Sequence, residues 1–240
     1  GGRPNLREWT LRVVAGADAA PNMRRVTFTA DDIAEFDYRP GQAIVFAMPL
    51  GNGETGRRHY TIRSFDRQAG TFDVDFLKHG DSPSPNWALA AKPGDTITAK
   101  GPRGGTFLKP DADWHLVTGD ETCIPAIAHI LEAAPEGARI FAFIETSGPE
   151  GEIAIETKAD AELRWLHRNG APAGPNDLVF DAVEGFALPE GRGHAYIIGE
   201  TSNVRRQRHA LVARGFPKER ISSEGYWRPG RVGGHDHVDD

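Results

Sequence analysis

The hydrophobic pattern of this 240-residue chain changes its period near Pro110, and that change limits what it can fold into. Before it, apolar residues alternate with polar ones. Leu11 and Val13, Val26 and Phe28, and Phe72, Val74 and Phe76 are spaced by two, with Thr71, Asp73 and Asp75 between the last set. A period of two marks strands with one buried face. Turn signals separate them at Pro40-Gly41, Gly51–Gly56, Ala69-Gly70 and Pro93-Gly94-Asp95. The pattern predicts a closed antiparallel barrel, with a short helix over Trp87–Ala91.

After Pro110 the runs His115–Thr118, Ile140–Ile144 and Ala195–Ile198 are apolar on both faces, as parallel strands covered by helices on each side are. Ile124, Ile127, Ala128 and Leu131 fall at helical spacing between them. A second helix from about Ser202 carries Val204, Leu211 and Val212 and stops at Gly215 and Pro217. Alternating strand and helix predicts an α/β layer with a parallel sheet. The expected division is 1–108 for the barrel and 109–240 for the α/β domain. The polar stretch 147–176 gives no clear element beyond a short ordered piece at Leu163–Leu166, and the tail after Trp227 reads as flexible.

Composition narrows the function. No run approaches about 20 apolar residues, so no membrane span is expected. Gly1–Asn5 lacks the apolar core of a secretory signal, which points to the cytoplasm. A net charge of -6 argues against a nucleic-acid partner. The lone Cys123 reads as a small buried side chain, and the nine histidines show no metal-ligand spacing, including His235 and His237 in the tail. No long apolar surface pattern stands out, so a monomer is expected.

Five segments carry chemistry. In Arg58-His59-Tyr60-Thr61-Ile62-Arg63, a strand points Arg58, Tyr60 and Ile62 one way and His59, Thr61 and Arg63 the other. Such a mixture suits a polar barrel rim. It also suits a flavin, which needs arginine for its diphosphate, an aromatic ring and a hydroxyl. His79 to Trp87 is a small-residue turn that opens a helix, either a plain loop or a phosphate site. Gly119-Asp120-Glu121-Thr122 follows a buried strand, where α/β folds place ligands, but lacks the G-x-G-x-x-G spacing. Its acidic pair repels a pyrophosphate, and it also reads as a helix start with Thr122 as N-cap. Gly199-Glu200 opens a helix whose Arg205, Arg206 and Arg208 oppose the helix dipole; this invites an anion or marks a solvated face. Gly225-Tyr226-Trp227-Arg228 closes the folded part, as core packing or as a cover over a ligand.

In order, these segments resemble the siderophore-interacting protein family of ferric-siderophore reductases. The resemblance also takes in Val74–Gly80, Lys92-Pro93-Gly94-Asp95, Gly101-Pro102-Arg103-Gly104 and Trp165-Leu166-His167-Arg168, and runs from about Trp9 to Arg231. It implies a ferredoxin-reductase-like arrangement: an N-terminal antiparallel FAD-binding barrel followed by a nicotinamide-binding parallel-sheet domain. By matching positions, FAD would be held by Arg58, His59, Tyr60, Thr61, Ile62 and Arg63, with Asp75, Leu77, His79, Gly80, Asp81, Ser82, Pro83, Ser84 and Trp87, and with Thr122, Tyr226 and Trp227 nearby. Gly119, Asp120, Glu121, Gly199, Glu200 and Arg205 would line the side of NADH or NADPH. Arg168, Arg205, Arg206 and Arg208 are the cations available to a 2′-phosphate.

The resemblance implies reduction of Fe(III) in a siderophore or similar chelate, with the redox chemistry residing in the flavin and no metal ligand on the protein. The chain departs from the family pattern twice. Pro85 stands where relatives often carry a small hydroxyl residue, so one phosphate contact is lost or is supplied by Ser82 or Ser84. The strand at Gln42–Phe46 has no lysine where some relatives carry one, which implies a different chelate or a different cationic contact among Arg57, Lys78 and Arg228. A flavin reductase with another acceptor, and a carrier that binds flavin or siderophore without turnover, are the alternatives.

Overall fold

The computed structural model describes residues 6–78, 80–231 and 236–238. The chain divides into two compact units, Gly1–Gly105 and Thr106–Asp240.

The first unit holds strands β1 (Glu8–Ala20), β2 (Met23–Thr29), β3 (Ala43–Pro49), β4 (Thr55–Thr61), β5 (Ser64–Asp66) and β6 (Thr71–Leu77), helix α1 (Pro83–Ala90) and strand β7 (Thr96–Arg103). They form one antiparallel sheet in the order β4-β3-β7-β1-β2-β6-β5. Only Ile62 and Arg63 separate β4 from β5, and the chain changes partner there. Ile62 N donates to Gln42 O at 3.0 Å on one side, and Arg63 N donates to Asp73 O at 2.8 Å on the other. The two ends of the sheet are thus halves of one bent strand, and the sheet closes into a barrel. Gly70, at φ 68°, makes the tight turn from β5 into β6.

The alternating residues Leu11, Val13, Val26, Phe28, Phe72, Val74 and Phe76 are all in the barrel core, joined by Ile44, Phe46, Met48 and Ile97. Asp75 breaks the alternation, since it is buried although it lies on the polar side of β6. Arg25 explains this, gripping it through two parallel bonds of 2.8 and 2.9 Å. The predicted helix at Trp87–Ala91 in fact begins at Pro83. Proline suits the first helical turn, where its missing N–H is not needed.

The second unit runs β8 (Trp114–Gly119), α2 (Ile124–Ala133), β9 (Arg139–Thr146), β10 (Asp160–His167), α3 (Leu178–Glu184), β11 (Gly193–Glu200), α4 (Thr201–Ala213), β12 (Ile221–Trp227) and β13 (Asp236–His237). The sheet order is β10-β9-β8-β11-β12-β13. Every pair is parallel except β12 with β13. The central strands β8 and β11 are buried along their whole length. On one face Val117, Ile140, Ile144 and Ile198 pack with Ile124, Ile127 and Leu131 of α2. On the other, Leu116, Phe141, Phe143 and Ile197 pack with Val183 of α3 and Val204 and Leu211 of α4.

Three expectations need correction here. The ordered piece at Leu163–Leu166 is part of the parallel edge strand β10, whose Asp160, Glu162 and Arg164 are exposed. The tail is not wholly flexible, because Asp236 and His237 pair with Gly225 and Glu224 and Val238 is buried in the core. Residues 232–235, including His235, lie outside the described residues. Thr122 does not cap the turn before α2; Asp120 does, accepting from Thr122 N. Among the described residues, no helix is long and apolar enough to cross a membrane, and no cluster of side chains could hold a metal ion.

Candidate functional site

Register places the motif strand β4 on the barrel. Arg58 lies opposite Phe46 and Tyr60 opposite Ile44, so both share the face of core residues, as does buried Ile62. Directly opposed residues in an antiparallel pair project to the same side. The Tyr60 ring lies 4.4 Å from Phe76 and 6.0 Å from Phe46. Trp87 of α1 joins this cluster, 6.3 Å from Phe76 and stacked at 6.0 Å on Phe28. Burial pushes the Tyr60 hydroxyl up, while the nearby Ser84 hydroxyl and Arg58 guanidinium pull it partly back. Arg58, Tyr60, Ser84 and Trp87 are therefore brought together.

Two features of this cluster fit an anion. The Arg58 guanidinium donates to the Arg57 carbonyl at 3.0 Å and has no carboxylate partner among the described residues. Ser84 is buried, and its Oγ has the Tyr60 hydroxyl as its polar neighbour and makes no hydrogen bond of regular geometry among the described residues. Pro83 and Pro85 have no N–H, so Ser84 supplies the one free backbone donor of the first turn of α1 together with this hydroxyl. Ser84 thus offers the hydroxyl that Pro85 cannot. A phosphate of FAD fits such a set of donors.

Other expected flavin residues are turned to protein partners. Arg63 is buried with Nε 3.9 Å from Asp75 Oδ2. His59 Nε2 lies 3.5 Å from Arg103. Asp81 accepts from Asn86 Nδ2 at 2.6 Å. Thr61, Leu77, Ser82 and Pro83 are half-buried, Gly80 is exposed, and His79 lies outside the described residues. Of the cations proposed for substrate, Lys78 pairs with Asp18 at 2.9 Å, while Arg57 is exposed.

In the second unit the carboxyl ends of β8, β9 and β11 are where an open parallel sheet places ligands. Asp120 Oδ1 accepts from Thr122 N at 2.8 Å, and Asp120 Oδ2 accepts from Trp227 Nε1 at 2.8 Å. Gly199, at φ 136°, lies close against Asp120; a Cβ there would stand 3.2 Å from Oδ2. Glu200 caps α4, accepting from Ser202 N at 3.0 Å and Asn203 N at 2.8 Å. Both helix starts are thus already served by the chain's own carboxylates. Arg168 is buried between Glu121 at 2.7 Å and Glu145 at 3.1 Å. Burial pushes the Glu145 carboxyl up, with Asn176 and Arg168 pulling it back.

The cations named for a 2′-phosphate differ in their surroundings. Arg168 is committed to two glutamates, Arg206 to Asp177 at 2.7 Å, and Arg208 is buried against Ser223 at 3.1 Å. Arg205 is exposed. Tyr226 packs beside the core of the α2 face, and Arg228 Nε stands 3.9 Å from Asp236. Glu145 was not anticipated. It lies in an apolar run, and a buried acid there signals a partner, Arg168, which follows the unassigned strand β10. Cys123 is fully buried, and burial pushes its thiol well up, as expected for an inert side chain.

Comparison with known proteins places this geometry. Residues 112–230 match the family model of the siderophore-interacting protein, and residues 42–106 match that of the siderophore-interacting FAD-binding domain. The chain is 38% identical over 186 residues to an uncharacterised protein of Mycobacterium tuberculosis, a match that spans 73% of this chain and 66% of that protein. It is 30% identical over 233 residues to the ferric vibriobactin reductase ViuB of Vibrio cholerae, covering 88% of this chain and 85% of ViuB. A siderophore utilization protein from T. fusca superposes with a TM-score of 0.87 at 32% identity, over 97% of this chain and 96% of that one. The ferredoxin reductase of carbazole 1,9a-dioxygenase, at 18% identity and a TM-score of 0.69, shares the fold over 91% of this chain and 69% of its own. With both halves of the sequence matched and the barrel and parallel sheet in the same order, the chain belongs to the siderophore-interacting protein family and has a ferredoxin-reductase-like fold.

Proposed function

We propose that this protein is an FAD-dependent reductase of ferric chelates, siderophores foremost, that draws its electrons from NADH or NADPH in the cytoplasm. The observation that carries the reading is the gathering of the Arg58 cation and the buried Ser84 hydroxyl around Tyr60, with the Trp87 ring on the same barrel. The family match to an FAD-binding domain over 42–106 supports it. When bound, FAD supplies the exchange between a two-electron donor and a one-electron acceptor.

The chain's own residues hold and orient. Arg58 and Ser84 bind the diphosphate, Tyr60 and Trp87 give the flavin an apolar wall, and Ile62 keeps water from the barrel side. On the donor side the carboxylates of Asp120 and Glu200 hold the two helix starts in place, with Gly119, Gly199 and Glu121 shaping the turns and Thr122, Tyr226 and Trp227 completing the wall. They do not attract a diphosphate; exposed Arg205 serves that charge. Arg57, Lys78 and Arg228 are the cations offered to an anionic chelate, and Arg57 is the one exposed beside Arg58. Siderophores hold Fe(III) through hard oxygen donors and hold Fe(II) weakly, so reduction releases the iron.

An anaerobic absorbance series tests this. The flavin band should bleach with NADH or NADPH and recover with a ferric siderophore as trapped Fe(II) appears. A band that never bleaches turns the reading to a carrier, recovery only with free flavin or quinone turns it to a flavin reductase, and no band after reconstitution with FAD ends it.

A further inference from the structure

The parallel sheet has a concavity at the end opposite the carboxyl ends of β8 and β11. A cavity of about 370 Å³ opens where β8 and β11 begin, walled by Trp114, Leu188 and Phe216 and by Arg192, Arg214 and Arg220. Trp114 opens β8 and Gly119 ends it, which puts this cavity about 17 Å from the Gly119–Asp120 turn along the strand.

Its charge is mostly of one sign. Three arginines line it and no acidic residue does, with the Asp113 carboxylate standing against Gly191 at its margin. Arg192 stands 3.6 Å from Asp111, but both side chains are more than half exposed, so that pair contributes little. The Arg192 backbone N–H donates to Asp113 Oδ2. Arg214 donates to the carbonyls of Val183 at 2.8 Å and Phe186 at 2.6 Å, which orient it without neutralising it. Among the described residues, neither Arg214 nor Arg220 has a carboxylate partner.

Trp114 gives a second, independent observation. It is 3% exposed, and its Nε1–H is buried with no acceptor among the described residues. Buried indole N–H groups ordinarily find a partner. The ring cannot turn away to find one. It lies over Gly193, its neighbour on β11, where any Cβ would overlap it, and Phe216 meets it edge-on at 5.9 Å. The wall thus combines two arginines without a carboxylate partner, Arg214 and Arg220, a buried donor without an acceptor and apolar surfaces at Leu188 and Phe216. We propose that this cavity binds a small organic anion, a carboxylate or phosphate monoester on a flat apolar body, with its oxygens on Arg214 and Arg220 and its body against Leu188 and Phe216. The site is separate from the flavin and nicotinamide chemistry and stands whether or not that reading holds.

Titrating the full chain with benzoate, phenyl phosphate and inorganic phosphate tests the proposal. Binding is read from the Trp114 indole cross-peak in a proton–nitrogen spectrum, and in parallel by calorimetry. Benzoate and phenyl phosphate should shift that peak saturably, with inorganic phosphate markedly weaker. Arg220→Glu should weaken both aryl ligands by about fivefold or more with the flavin band unchanged. Trp114→Phe assigns the peak; should it fail to fold, Arg220→Glu by calorimetry still decides. No saturable shift, an unaffected Arg220→Glu, or inorganic phosphate binding as tightly as phenyl phosphate overturns the proposal.

Discussion

The Trp227 indole donates a 2.8 Å hydrogen bond to Asp120, joining the end of β12 to the turn that leaves β8. The two residues are 107 positions apart, and each comes from a segment singled out by its sequence alone. Asp120 Oδ1 is meanwhile bonded to Thr122, so both carboxylate oxygens are committed within the protein. Trp227→Phe should destabilise the chain by about 1–2 kcal/mol by leaving one oxygen of a largely buried acid without its donor. An unchanged urea midpoint would show that the bond is incidental.

Arg168 answers two buried glutamates at once. Arg168→Met should therefore cost about 3–5 kcal/mol near neutral pH, far more than loss of a surface arginine. Denaturant melts would show it. A cost under about 1 kcal/mol would mean that water already reaches Glu121 and Glu145.

Glu145 makes stability depend on pH in a definite direction. Burial holds its carboxyl above the ordinary range, so ionising it opposes folding. That cost is absent below the unfolded carboxylate pKa of 4.5 and complete above the raised folded value. Stability should fall as pH rises through this window, and Glu145→Gln should remove that slope. If the variant and the parent have parallel profiles, Glu145 is not the group responsible.

His194 acts in the opposite sense. Burial, helped by Lys109 and His115, lowers its pKa from 6.5 to about 4, and its Nε2 lies 2.9 Å from Ser222 Oγ. The folded state favours the neutral ring. Its contribution is whole above pH 6.5 and lost as pH falls towards about 4, amounting to at most about 3 kcal/mol. Subtracting the profile of His194→Gln from that of the parent should isolate this loss, and a flat difference would remove His194 as its source.

Arg58→Ala should release FAD at least tenfold more readily, since a charge-assisted bond to phosphate is worth about 1.5–3 kcal/mol. Flavin content of the purified variant, followed by titration with FAD, measures it. Retention equal to the parent would put the phosphate elsewhere.

The barrel and the doubly covered sheet were legible because hydrophobic period reports burial directly. Val74 alternates and Ile198 sits in a continuous run, and each is where its pattern demands. Arg58 and Tyr60 were also placed on one face by a period of two. What was not legible depends on distant partners. Asp75 looks solvent-facing until Arg25 is set beside it, and Arg168 looks free until Glu121 and Glu145 close on it. Helix α3 and strand β10 escaped because their apolar residues cover only part of a face and lie among glycines and prolines.

The ends of the parallel sheet bear on how its edge strands are shielded. Strand β10 ends one side with Asp160, Glu162 and Arg164 exposed, and among the described residues the other side ends in the two-residue β13, which pairs with Glu224 and Gly225 of β12. An unpaired strand edge is a template for aggregation, and charges or a very short terminal strand blunt it. The segment Asp236–His237 thus covers part of the β12 edge, and shortening the chain before Asp236 would bare that stretch of backbone.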